Sequence, residues 1–135
     1  MGQQQLLLLI IGIVIVGISV IAGLEMFQRG QRQDEADGLL ERALAISTHA
    51  VYWKSKNDPF NGGNQSYQNL VPGGIEALAL QPSNVRGQFD FTGATTETLE
   101  VTGISDRYPD IGVRVYIREY SIDSSRVVFD GSLSL

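Results

Sequence analysis

The sequence predicts an α+β fold: one long N-terminal helix, apolar in its first half, packed by its second half on a four-stranded antiparallel β-sheet. Three observations predict it. Leu6–Leu24 holds nineteen residues whose side chains are all apolar except Ser19, and no charge occurs from Met1 to Leu24. Beyond it an apolar stripe at spacings of three and four runs to Trp53 with no proline in the way. From about residue 87 onward, short segments alternate apolar and polar side chains with a period of two.

Residues 1–5 form a polar start, Met-Gly-Gln-Gln-Gln. Residues 6–24 follow as a helix just long enough, at about 1.5 Å per residue, to cross a bilayer core. A cleaved secretory signal needs a basic start and an apolar core of about 7–15 residues. Residues 1–5 carry no Lys or Arg, and the core is longer, so ordinary signal removal is disfavoured. Arg29 and Arg32 follow the span and none precede it, which nominally places the C-terminal side in the cytoplasm.

Residues 25–56 continue the helix as an amphipathic segment. Leu39, Ala43, Ile46, Ala50 and Trp53 lie on one stripe, with Leu40, Leu44, Ser47 and Val51 alongside. Arg42, Thr48, Lys54 and Lys56 are expected to face away. Asp58-Pro59 is the expected stop, because the residue before proline is pushed out of helical geometry. The helix should run from about residue 4 to about 56, on the order of 80 Å. Gly12, Gly17, Gly23, Gly30 and Gly38 interrupt it. Each costs about 1 kcal/mol against alanine in a helix interior, which points to close packing against copies or to local unwinding. Ser19 and Gly23 form a small-xxx-small pair.

Residues 57–86 read as a connecting loop, with a short helical turn within 73–80. Residues 87–135 read as the sheet. Phe89 and Phe91, Leu99 and Val101, Val113, Val115 and Ile117, then Val127, Phe129, Leu133 and Leu135 should face inward. Turns are expected at Gly93–Thr96, Ser105–Asp110 and Asp123–Ser125, and links this short favour an antiparallel meander. Asp130-Gly131 is read as a bulge, because the alternation continues through it. The helix stripe and the apolar sheet face each need a partner and supply one another. That core comprises Leu39, Ala43, Ile46, Ala50, Trp53, Phe89, Phe91, Leu99, Val101, Val113, Val115, Ile117, Val127 and Phe129. The first half of the helix is left without a partner inside the monomer.

Composition narrows the function. Glu25–Asn57 balances five acids with five bases, whereas the remainder has ten acids and five arginines and carries the whole net charge of −5. An acidic head argues against nucleic acid as a partner, since phosphate binding needs clustered Lys and Arg. Without cysteine there are no disulfides, thiolate nucleophiles or Cys-based metal sites. His49 is the sole histidine, and no phosphate-binding or nucleophile motif occurs. No enzyme, cofactor or metal is expected. Asp106, Asp110, Asp123 and Asp130 lie in or near turns, where solvated acids outnumber calcium ligands. Asn64-Gln65-Ser66 fits the N-glycosylation pattern in an expected surface loop. Thr92, Thr95 and Thr96 could take O-linked sugars without a motif. Tyr52 and Trp53 end the helix near Phe60 and Tyr67; such an aromatic cluster could suggest electron conduction or adhesion, but Trp53, which lies on the stripe, reads as core packing.

This plan resembles the type IV pilin superfamily of bacterial pilins, secretion pseudopilins and archaeal pilins. The resemblance is one of architecture over the whole chain. It implies a structural subunit of an extracellular filament at the cell surface, held first in the cytoplasmic membrane as a single-pass protein. Its partners would be copies of itself and the pilus assembly machinery. Leu6, Leu7, Ile10, Gly12, Val14, Gly17, Ser19 and Gly23 would pack the filament core. The family's prepilin peptidase cuts after a glycine before the apolar stretch, and Gly2 matches, leaving Gln3 first. The glutamate that many members carry at the fifth mature position is absent: Leu7 stands there after a cut, Gln5 without one. The alternatives are a pseudopilin or minor pilin, and a membrane-tethered binding domain.

Overall fold

The computed structural model describes residues 2–57 and 62–135. Helix α1 spans Gly2–Ser55. Asp58-Pro59, the expected stop, and Phe60 lie outside the described residues. The chain divides into two compact units, one ending at Gln33 and one comprising Asp34–Leu135. Helix α1 contributes to both.

The first unit is helix alone, and every residue from 2 to 30 is exposed. No side chain from 2 to 30 is buried, so the helical state of that stretch rests on local hydrogen bonds and on the absence of proline.

The second unit is the head. It holds the rest of α1, a short helix α2 (Leu70–Gly73), a 3₁₀ turn (Ile75–Leu78) and four strands. These are β1 (Gly87–Ala94), β2 (Thr98–Ser105), β3 (Gly112–Arg118) and β4 (Ser121–Val128). The sheet order is β1-β2-β3-β4, antiparallel throughout. Short links permit only neighbour-to-neighbour pairing, and a meander results.

The register sets the core. Phe91 faces Val101 and Phe89 faces Gly103 across β1 and β2. Leu99, Val101 and Gly103 face Ile117, Val115 and Val113 across β2 and β3. These rows lie on one face of the sheet and pack with Leu39, Ala43, Ile46, Ala50 and Trp53 of α1. Leu39 and Ile46 are wholly buried, each stabilising the fold by about 1.5–3 kcal/mol. A Cβ at Gly103 would lie 2.4 Å from the Phe89 ring, so the ring occupies the glycine's vacant space. The segment read as a loop adds more to the core than its polarity indicates: Tyr67, Leu70 and Ile75 are buried within it.

The C-terminal end of α1 is closed by a returning turn. Gly63, Asn64 and Gln65 donate backbone N–H to the carbonyls of Trp53 (2.9 Å), Lys56 (3.2 Å) and Lys54 (2.8 Å). These are the carbonyls that a helix end leaves without partners.

Three expectations are corrected. The β3–β4 turn is Glu119-Tyr120, not Asp123–Ser125: Arg118 pairs with Ser121, and Glu119 takes φ 55°. Asp123 falls between the pairs Tyr116–Ser124 and Ile117–Ile122 as a bulge, so a turn-like sequence is absorbed inside a strand. Asp130-Gly131 is not a bulge in a continuing strand. Strand β4 stops at Val128, Gly131 takes φ 73°, and its N–H reaches the Asp110 carbonyl at 2.9 Å. The inward alternation expected through residue 135 therefore fails at its end. Val127 is only partly buried, Val128 is buried, and Phe129 is 42% exposed and outside the core. Leu133 is buried after the turn, where a Cβ on Gly112 would lie 3.2 Å from its own, while Leu135 is exposed. Finally, Lys54 does not face away; only 3% of it is exposed.

Candidate functional site

The candidate site is the first unit of α1. Sixteen large apolar side chains from Leu6 to Phe27 are exposed there. By length and composition this helix can cross a membrane, and none of its apolar window is buried. Ser19, its polar residue, donates its hydroxyl to the Ile15 carbonyl at 2.8 Å. The hydroxyl is thus satisfied within the helix and costs little in an apolar surrounding.

The residues expected to pack a filament core are all on this unit and all exposed: Leu6, Leu7, Ile10, Gly12, Val14, Gly17, Ser19 and Gly23. Gly2 and Gln3, at the start of α1, are exposed too. At about 100° per residue, Gly12, Ser19, Gly23 and Gly30 fall on one stripe of the helix. Gly17 lies on the opposite side. A Cβ at Gly12, Gly17, Gly23 or Gly30 would meet nothing within 4 Å. No described residue therefore requires these glycines. Around Gly12 the missing side chain leaves a shallow apolar hollow of about 400 Å³ lined by Leu8, Leu9, Gly12, Ile13 and Val16. Positions 9, 12, 13 and 16 have the spacing of a hole that receives one side chain from a facing helix.

Gly38 differs from these. A Cβ there would lie 2.4 Å from the Arg86 guanidinium carbon, so this glycine makes room inside the head. Arg86 ion-pairs with Glu35 at 3.4 Å, and the Ser105 hydroxyl donates to the same carboxylate at 2.9 Å. The cluster fastens the first turn of α1 within the head to the end of β2. At the other end, Lys54 donates to the Glu119 carbonyl at 3.3 Å and lies 4.7 and 4.5 Å from the ring centres of Tyr67 and Tyr120. The Tyr67 hydroxyl donates to the same carbonyl at 2.5 Å. Burial, then the neighbouring Tyr120, pushes the Tyr67 phenol up to about 12. Neither cluster was visible in the sequence. Lys54 is expected to face away, and the hydrogen-bond partners of Glu35 and Lys54 lie 51 or more positions away.

The remaining candidates do not converge. His49 is exposed in an open groove of about 400 Å³ with Tyr52, Trp53, Lys56, Ala77, Leu78 and Ala79. Trp53 is buried as core, and Tyr52 is exposed. Asp130 accepts from the Ser132 N–H at 3.0 Å, and hydrogen bonds from Ser132 hold its carboxyl below the usual range. Its geometry is that of a turn residue. No group of three or more His, Cys, Asp or Glu able to hold a metal occurs among the described residues. Thr95 bonds Thr98 hydroxyl to hydroxyl at 2.6 Å in the β1–β2 turn, and Thr92 bonds Thr102 at 2.8 Å. Asn64 is exposed.

No family model, curated protein or solved structure matches this chain.

Proposed function

We propose that this chain is a structural subunit of an extracellular, type IV pilus-like filament. The apolar half of α1 holds it in the cytoplasmic membrane before assembly and packs against copies of itself afterwards. The observation that carries the reading is the glycine stripe on a fully exposed apolar helix. Gly12, Gly23 and Gly30 each lower helix propensity, yet none makes room for any described residue of the chain. Small residues on a membrane helix let a second backbone approach closely. The head supports the reading from the other side, since it completes its own core from Ala36 to Ile117 without using the apolar half. The partners under this reading are further copies, the assembly machinery and a peptidase acting at Gly2.

The test is to shear cells that make the protein, collect the high-molecular-weight surface fraction, and combine negative-stain microscopy with intact mass. Thin fibres built mainly of this chain are the expected result. Recovery only as a small species in detergent-solubilised membranes would overturn the reading and leave a minor pilin or a membrane-tethered binding domain.

A further inference from the structure

We infer that Asn64 is a modification site, the acceptor of an N-linked oligosaccharide. Asn64-Gln65-Ser66 is the one place in the chain where an asparagine is followed two residues later by Ser or Thr, without an intervening proline. The fold puts this triplet on a tight turn. The Ser66 N–H bonds the Gly63 carbonyl at 3.0 Å, and Asn64 and Gln65 take φ 50° and 67°. Positive φ at both central positions is the type I′ pattern, and asparagine is among the few side chains that tolerate it.

The turn is fastened to the end of α1 through its backbone, and the Ser66 hydroxyl accepts the Gln68 N–H at 3.2 Å. Gly63 and Gln65 use their N–H groups on the Trp53 and Lys54 carbonyls of α1, and Asn64 uses its own on that of Lys56, just beyond the helix. A Cβ at Gly63 would lie 2.7 Å from the Trp53 ring, so the turn sits directly on that ring. Asn64 and Gln65 remain exposed, and no described residue bonds the Asn64 side-chain amide. A substituent on Nδ2 therefore disturbs none of the bonds that close the helix. The other asparagines, Asn57, Asn61, Asn69 and Asn84, lack the triplet in the sequence, and Asn84 is engaged through Oδ1 with the N–H groups of Arg86 (2.9 Å) and Gly87 (3.0 Å).

The donor would be an oligosaccharide on a polyprenyl phosphate or diphosphate lipid. Asn64 Nδ2 attacks the anomeric carbon, the C–O bond to phosphate breaks, and the lipid phosphate leaves with that electron pair. One amide proton is lost, and no oxidation or reduction occurs. The inference rests on the proposed function in one respect: the head must lie outside the cytoplasm.

The test uses the full chain purified from the cells that naturally make it, with mass spectrometry of the tryptic peptide Asn57–Arg86. Saccharide mass on Asn64 is expected. Asn64→Asp, which tolerates the turn, and Ser66→Ala should both abolish it, while Ser66→Thr should keep it. A fully unmodified native peptide would overturn the inference, as would sugar that persists in Ser66→Ala. Filaments built of unmodified subunits would remove the glycan and spare the filament. A modified subunit confined to membranes would do the reverse.

Discussion

Replacing Gly12 and Gly23 together with leucine separates folding from assembly. In the isolated subunit neither new side chain meets an obstacle, since a Cβ at either position has nothing within 4 Å. Leucine also raises helix propensity by about 0.8–1 kcal/mol at each site. Head stability should therefore be unchanged. Between close-packed helices the same side chains overfill the contact, at about 1–3 kcal/mol each. That is about 5–150-fold in association per site, repeated at every interface because every copy carries the change. Two assays read the two predictions. Trp53 is the sole tryptophan and is buried in the head core, so its fluorescence during denaturation of detergent-solubilised subunit reports the head. The sheared surface fraction reports assembly, with Ile13→Leu as a volume-conserving control. Loss of fibres with an unmoved Trp53 transition is expected. Fibres at undiminished yield would refute close approach at the glycine stripe. A Trp53 transition shifted by more than about 1 kcal/mol would refute the independence of the two units.

Further outcomes follow from the head. Stability should fall as pH rises from about 10 to about 12, by at most about 1.4 kcal/mol per unit. The unfolded Tyr67 phenol has lost its proton there while the folded one, pushed up to about 12, retains it. Tyr67→Phe should flatten that stretch of a stability-against-pH curve, and an unchanged slope would exclude Tyr67 as its source. Glu35→Ala should cost about 1–2 kcal/mol in a denaturant melt, because it frees the buried Ser105 hydroxyl and the partly exposed Arg86; no loss would mean the clamp is idle. Leu133→Ala should cost about 1–3 kcal/mol by uncovering Gly112, and a neutral result would show that the tail does not hold there.

Much of this fold was legible because its signals are local and periodic. The helix stripe from Leu39 to Trp53 and the alternation in β1, β2 and β3 each repeat over enough residues to fix a face. Strand β4 escaped because it is an edge, with Ser121–Arg126 all exposed, so nothing forces its side chains to alternate. A bulge at Asp123 and the turn at Gly131 then moved the apolar positions off register. Lys54 and Glu35 escaped for a different reason. A charged residue on a helix reads as solvated unless its partners are known, and the sequence does not show that the Glu119 carbonyl or Ser105 returns to meet it. Of the candidate site, the apolar span and its glycines were plain. That no described residue meets Gly12, Gly17, Gly23 or Gly30, whereas Arg86 fills the space at Gly38, is a property of the fold that no local pattern shows.

The energetics of the two units place the decisive interaction outside the hydrophobic effect. Removing sixteen large apolar side chains from water is worth tens of kcal/mol at about 1.5–3 kcal/mol each. Against a head stability of about 5–15 kcal/mol, exposure of that surface to water dominates everything the head contributes. Lipid satisfies this demand as well as neighbouring helices do, because acyl chains are as apolar as leucine. Under the proposed function, transfer from bilayer to filament would therefore gain almost nothing from burial as such. What would distinguish the two surroundings is packing: lipid would fill a notch such as the one at Gly12 loosely, whereas a side chain from a facing helix would fit it more closely. On that basis the glycine stripe, and not the overall apolarity of α1, would decide whether the subunit stays in the membrane or leaves it. A chain with Gly12 and Gly23 filled should remain a well-folded membrane protein.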